Sequence, residues 1–122
     1  MFTATYAAMK NAFITGSNDE RLRRMVNRAM QIAAMTFRLH APWVHSLKEK
    51  RMVVKSVIAK LQNTFHVSVA EIDEQDTHQI IVIGIAAVVP HQAMADSLME
   101  QISAFVEENC EAEILEETRD VR

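Results

Sequence analysis

Cysteine, glycine and proline are scarce in this chain of 122 residues, which contains one Cys, two Gly and two Pro. The single thiol, Cys110, excludes a framework of intramolecular disulfides, and two isolated glycines exclude a glycine-rich phosphate loop. The chain also lacks an apolar run of the roughly 20 residues that would cross a bilayer. Its longest run, Ile80 to Val89, is typical of a buried strand. A soluble protein is therefore expected.

The beginning of the chain lacks the features of a secretory signal. The first thirty residues contain no basic start followed by a continuous apolar run and a small-residue cleavage site. Together with the single cysteine, this predicts a reduced, cytoplasmic setting. A length of 122 residues with 49% apolar content fits one globular domain and is too short for two independent ones.

Positive charge is missing from much of the chain, because no Lys or Arg occurs between Leu61 and Thr118. That stretch holds twelve acidic residues, whereas nine of the thirteen basic residues lie between Lys10 and Arg51. Residues 1–29 have a net charge of +3, from five basic and two acidic residues, and residues 30–122 have −6, from eight and fourteen. RNA is therefore expected to bind only the basic N-terminal arm or the first helix. The alternative is that both charge runs are solvated surface.

Residues 1–29 show no sustained periodicity, and only Asp19 to Ala29 could form a short helix after the turn signal Gly16-Ser17-Asn18-Asp19. We therefore expect a weakly ordered or partly helical extension over 1–29, followed by a domain over 30–122. A related hypothesis is that Met30 is the natural initiator, which N-terminal sequencing of native protein would test.

The run from Met30 to His40 alternates apolar and polar residues, which predicts a half-buried strand that Pro42 ends. Ser46 and Glu49 predict a capping box, in which the serine accepts a first-turn amide and the carboxylate reaches back to the Ser46 amide. A helix from Leu47 to about Thr64 should follow. Its inward face is predicted to consist of Leu47, Val54, Val57, Ile58, Leu61 and Phe65.

The second half of the domain predicts a hairpin of two strands, Val67 to Asp73 and Gln79 to Val89. The latter strand is apolar on both faces, so it should be central and covered on both sides. After Pro90, a helix from about His91 to Asn109 and an acidic strand from Ala112 to Thr118 complete the domain. The inward face of that helix is predicted to consist of Met94, Leu98, Ile102, Phe105 and Val106.

The resulting order, βαββαβ, predicts an α+β ferredoxin-like sandwich. Right-handed crossovers place the first and third strands in the centre of a four-stranded antiparallel sheet and both helices on one face. The other face would expose part of the third strand together with Ile32 and Ala34. We expect a second copy in a homodimer, or the N-terminal extension, to cover it.

Two segments resemble the YlxP-like family of small bacterial proteins of unknown function: His40-Ala-Pro-Trp-Val-His-Ser-Leu-Lys-Glu-Lys-Arg51, and Phe65-His-Val-Ser-Val-Ala-Glu71 with Gln75-Asp76. The resemblance covers Met30 to about Glu117 and departs at Thr77-His78, where a bulky apolar residue and an aromatic one are expected. It implies a ferredoxin-like fold and genes that often lie near those for translation initiation and ribosome maturation. No activity is implied.

The start of the first helix offers two alternatives. A helix start presents unpaired amides and a positive dipole end, which suits a phosphate or carboxylate, and basic residues surround it. The competing interpretation is a plain serine cap with solvated lysines, which carry an unfavourable interaction with the dipole. The candidate residues for anion or partner binding are His45, Ser46, Lys48, Arg51, Lys55 and Arg38.

Lys50 falls among the apolar residues of the first helix rather than with the other charges. In the predicted topology, the end of the second strand lies near the helix start, with Glu71 on the helix-facing side. A Lys50–Glu71 ion pair is therefore predicted. Two structural roles are possible for Lys50: a partly buried ion pair, or a lysine whose ammonium reaches solvent at the edge of the core. The alternative is a catalytic lysine.

No catalytic, cofactor or metal site is predicted, since the five histidines lack ligand spacing with Cys110 and the acidic turn around Asp76 lacks a calcium-loop pattern. Trp43 could pack over the sheet edge or form an exposed contact for a base or partner. The leading expectation is a non-catalytic binding protein, near the ribosome, whose first helix and Arg38 meet RNA or an acidic protein surface. The alternative is a homodimeric module that binds a small anion at Ser46.

Overall fold

The computed structural model of the protein describes residues 20, 21, 24 and 30–122. The extension expected over 1–29, with its short helix, thus lies outside the described residues except at three positions. The elements of the domain are β1 (Gln31–His40), α1 (Leu47–Phe65), β2 (Ser68–Asp73), β3 (Ile80–Val89), α2 (Gln92–Asn109) and β4 (Glu113–Val121). The predicted order βαββαβ is confirmed.

The four strands form one antiparallel sheet in the order β2-β3-β1-β4. The central strands pair along their whole length, from Gln31 opposite Val89 to His40 opposite Ile80. This arrangement confirms the predicted α+β ferredoxin-like fold, with β1 and β3 in the centre.

The core lies between one face of the sheet and the two helices. Alternate residues of β1 and β3 point into it because successive side chains of a strand leave on opposite faces. Phe37, Leu39, Ile81 and Ile83 are fully buried there. Residues of α1 and α2 belong to the same cluster, so both helices cover this face.

The inward stripe of α1 is largely as predicted, since Val54, Val57 and Leu61 are buried, and Lys50 is buried with them. The prediction for α2 was wrong at Met94, which is 49% exposed. The helix begins at Gln92, with the His91 ring accepting the Met94 amide at 3.2 Å. The buried residues follow one another at spacings of four, three and four: Ala95, Met99, Ile102 and Val106. Ile102 and Val106 were predicted to face inward, whereas Ala95 and Met99 were not.

The last strand extends three residues past its expected end at Thr118, to Val121. Its added residues include Arg119 and Asp120, and because both are charged, the sequence pattern does not predict a strand there. They pair with β1 as far as Ala33, and two main-chain hydrogen bonds then join Ile32 to Arg122. Backbone pairing with the free edge of β1 therefore determines where this strand ends.

The second face of the sheet, here the open face, is covered by no element among the described residues. Its apolar part combines β1, β2 and β3, with Val88 70% exposed and Ile72 50% exposed. The side chain of Ile72 lies over Gly84, where a Cβ would be 3.0 Å from Ile72 Cγ2. In the described part of the chain, no helix is long and apolar enough to span a membrane.

Candidate partner-binding surface

The loop before α1 is held in place by Gln79, the residue that precedes β3. The main chain of Ala41 donates to the Gln79 carbonyl oxygen at 2.8 Å. The Gln79 side-chain amide donates to the carbonyl oxygens of Pro42 at 3.0 Å and Val44 at 3.2 Å. Val44 is fully buried. These contacts fix the direction in which the following helix begins.

The start of α1 has a capping arrangement that differs from the predicted one. Ser46 accepts the Glu49 amide at 3.1 Å, as expected. The Glu49 carboxylate, however, accepts the amide of His45 at 3.1 Å instead of that of Ser46. Because the chain's own carboxylate already lies at the positive end of the helix, the geometry favours a cap over an anion site there.

Lys48, Arg51 and Lys55 are exposed on the outer side of α1. Within the described residues, none of the three has a hydrogen-bonding or ionic partner. Their spacing of three and four residues puts them on adjoining faces of the helix, over about 10 Å of its length. We call these three residues the α1 cations.

The other basic residues of 30–122 have partners. Arg119 contacts Glu100 and Glu117, each at 2.8 Å, and these hydrogen bonds raise the pKa of its guanidinium. Arg122 contacts Asp120 at 2.7 Å. The remaining three, Arg38, Lys50 and Lys60, also have partners. Within the described part of the chain, the α1 cations thus stand apart as charges without a counter-charge.

Arg38 lies apart from the α1 cations, although all four belong to the predicted set of six binding residues. Its neighbours Phe37 and Leu39 point into the core, so its own side chain lies on the open face. There its Nη1 atom is 3.8 Å from the Glu74 carboxylate. Arg38 thus lies on the open face and the α1 cations lie on the outer side of the helix, so the candidate set divides into two surfaces.

Lys50 and Glu71, expected to form an ion pair, are brought together, with Nζ 3.1 Å from Oε2. The lysine is 1% exposed and also donates to the Glu74 carbonyl oxygen. The Glu71 oxygen lacks a hydrogen bond of good geometry, so the attraction to Lys50 is mainly ionic. Glu74 adopts a left-handed backbone with φ of 57°, which belongs to the turn after β2. The ammonium therefore joins α1 to this hairpin from inside the protein.

A groove of about 360 Å³ lies between α1 and the turn that joins α2 to β4. Its walls include Trp43, Met52 and Ser56 on one side and Asn109 and Cys110 on the other. The groove could not be predicted from the sequence, because it joins segments about fifty residues apart. The one available signal was Trp43, a large aromatic residue next to a proline in a loop.

Burial raises the pKa of the Cys110 thiol in this groove, and the charge of Lys60 acts in the opposite direction. The thiol is therefore less ionised near neutral pH than a free cysteine. Among the described residues, no three His, Cys, Asp or Glu side chains converge as metal ligands would. The groove is thus a mixed polar and apolar surface with a weakly reactive thiol.

Comparison with known proteins places this chain in a family. A family described as "Protein of unknown function (DUF503)" matches residues 32–119. The uncharacterized protein YlxP of Bacillus subtilis (strain 168) is 42% identical over 62 residues, which are 51% of this chain and 67% of that protein. Because the family match covers most of the chain, the protein belongs to the DUF503 family, the YlxP-like family that its sequence resembles.

Proposed function

We propose that this protein is a non-catalytic accessory protein of the cytoplasm that binds RNA, at or near the ribosome, through the α1 cations. One observation carries the proposal: Lys48, Arg51 and Lys55 are exposed and without partners within the described residues, whereas the other five basic residues of 30–122 have partners. Cations whose charge is not neutralised within the protein are the groups that phosphates can engage with least competition.

The charge of the rest of the domain supports this orientation. The exposed side of α2 carries Asp96, Glu100, Glu107 and Glu108, and β4 adds further carboxylates. A polyanion is repelled from these elements and attracted to α1, so it would meet the domain in one orientation. The acidic surface therefore orients the bound RNA, and the α1 cations provide the affinity.

The open face is a poor platform for RNA bases. Sheets that bind RNA commonly stack unpaired bases on exposed aromatic rings. The described residues include four aromatic side chains: Phe37 in the core, Trp43 before α1, Phe65 and Phe105. The rings of Phe65 and Phe105 pack edge to face, with their centroids 5.3 Å apart. None of these rings lies on the open face, which favours contact through the helix.

Neutralising the α1 cations tests the proposal. In the triple variant K48Q/R51Q/K55Q, three phosphate contacts are lost, so the slope of log affinity against log salt should fall by about 2 for a single-stranded RNA. Fluorescence anisotropy with a labelled RNA of mixed sequence, measured across a fourfold range of salt, provides the slope. The native protein should lose roughly 20-fold in affinity over that range.

The matched control is R122Q, which removes an exposed cation that already pairs with Asp120. Its salt slope should equal that of the native protein. RNA binding that is independent of salt, or a triple variant that binds like the native protein, would contradict the proposal.

We also propose that a second copy of the chain covers the open face. The face carries Val88 and Ile72, both substantially exposed, and also Arg38 and carboxylates of β4, so it has apolar area and charges of both signs. A two-fold axis can bring such a mixed face against itself so that basic side chains of one copy meet carboxylates of the other. This surface is distinct from α1, so a dimer would leave the α1 cations accessible.

Sedimentation velocity over a range of protein concentrations tests the dimer. The variant V88K should shift the equilibrium to monomer, because an ammonium would be buried against apolar surface. Its control is M52K, which changes a residue of similar exposure (66%) on α1 and should leave the equilibrium unaltered. A native protein that sediments as a monomer at all concentrations would exclude this proposal without affecting the first.

A further inference from the structure

Trp43 is 39% exposed at the groove between α1 and the α2–β4 turn, and it is the single tryptophan of the chain. Beside it, Met52 is 66% exposed. An amphipathic ring and a polarisable thioether at the mouth of one groove are typical of a site for a flat apolar ligand. The volume, about 360 Å³, is at the small end of the range for small-molecule sites, which suits one planar group better than a helix or strand.

Polar groups that could hold the edge of such a ligand line the same groove. Ser56 has no hydrogen bond to any residue in the described part of the chain. Asn109 donates from its side-chain amide to the Phe105 carbonyl oxygen at 3.0 Å, which leaves its own oxygen able to accept. The site thus offers one donor-acceptor hydroxyl and one amide acceptor beside an aromatic face, and the charged residues Lys60 and Glu111 also line it.

The groove is continuous with the α1 cations. Met52 follows Lys48 by four residues and precedes Lys55 by three, so both cations are its neighbours on the helix surface. A ligand in the groove therefore lies beside two charges that have no partner within the described residues. A planar group attached to a chain of anions complements the aromatic face of the groove and the two cations of α1.

We infer that the groove binds an unpaired nucleobase of an RNA strand, stacked on Trp43, while the flanking phosphates contact Lys48 and Lys55. The inference rests on the proposed RNA binding and specifies its substrate class as single-stranded. It is also consistent with the lack of aromatic rings on the open face among the described residues, because the stacked base would lie on the other side of the sheet.

The single Trp43 and the single Cys110 serve as two independent reporters of this groove. The probe is an oligouridylate of roughly ten nucleotides, within the site sizes of known single-strand binders. Its control is an abasic strand of the same length, which keeps the phosphates and lacks the bases. The oligouridylate should quench Trp43 fluorescence and slow the alkylation of Cys110 several-fold. The abasic strand should do neither, although it retains salt-dependent binding to the α1 cations.

Substitution of Trp43 separates stacking from electrostatics. Stacking of one base on an aromatic side chain contributes about 1–3 kcal/mol, so W43L should bind oligouridylate roughly 5- to 150-fold more weakly with its salt slope unchanged. W43F should keep most of the affinity, because the phenyl ring still stacks. Both variants should bind the abasic strand like the native protein, and circular dichroism checks that they remain folded.

The outcomes distinguish this inference from the proposed function. Salt-dependent RNA binding with no quenching of Trp43 and full affinity in W43L would overturn the groove assignment and leave the α1 surface intact. No binding of either strand would overturn both. Equal affinity and quenching with uridine monophosphate would overturn the assignment to an RNA strand and point to a free nucleotide instead.

Discussion

Replacing Lys50 by methionine is expected to lower the free energy of unfolding by about 3–5 kcal/mol. The ammonium is almost completely buried, 3.1 Å from Glu71 Oε2, and also donates to the Glu74 carbonyl oxygen. Methionine fills a similar volume but leaves the Glu71 carboxylate, only 19% exposed, without its counter-charge. The expected loss therefore comes from the partner left behind. Denaturant unfolding measured by circular dichroism gives the change directly.

Two further variants show whether the pair is the cause. K48M changes an exposed lysine on the same helix and should alter stability by no more than about 0.5 kcal/mol. The double variant K50M/E71M should recover most of the loss, because a buried ion pair can often be replaced by well-packed apolar residues. If K50M lowered the free energy of unfolding by less than about 1 kcal/mol, the ammonium would have to reach solvent and would not belong to the buried core.

K50M should also bind RNA like the native protein once it is folded, since the ammonium does not reach the surface of α1. Such a result would support a structural role for Lys50 over a catalytic one. Reduced RNA binding at full stability would reverse this interpretation and bring Lys50 into the functional surface.

The Lys50–Glu71 pair illustrates how much the sequence could predict. Helical periodicity put the lysine among apolar residues, and the βαββαβ topology put the end of β2 beside the helix start. The contact with the Glu74 carbonyl could not be predicted, because it depends on a left-handed residue in the turn after β2. Periodicity thus determines which face a side chain occupies, whereas irregular backbone determines its additional partners.

The other differences between the sequence-based predictions and the structure have separate physical causes. Arg38 was grouped with the α1 cations by charge, although strand alternation alone places it on the other face of the sheet from the core. In α2, the inward stripe was misplaced at Met94 because the helix phase is set by buried Ala95 and Met99, which are less conspicuous than Leu98 and Phe105. The groove at Trp43 could not be predicted, since it forms only when the α2–β4 turn packs beside α1.

The two faces of the sheet should differ sharply in their sensitivity to truncation. Ile83 is fully buried on the helix-covered face, and the adjacent Val82 points to the open face. I83A should lower the free energy of unfolding by about 2–5 kcal/mol, because it leaves a cavity in the fully buried core. V82A removes fewer atoms from a partly exposed site and should cost about 1 kcal/mol or less in the monomer. Denaturant unfolding of both variants at the same low protein concentration provides the comparison.

Repeating the comparison at higher protein concentrations connects it to the proposed dimer. A second copy on the open face would stabilise the folded chain by mass action, and Val82 would then lie in an interface. The cost of V82A should therefore rise with protein concentration, whereas the cost of I83A should stay constant. A constant, small cost for V82A would indicate that the open face stays solvated. A cost as large as that of I83A at low concentration would mean that part of the same chain already covers it.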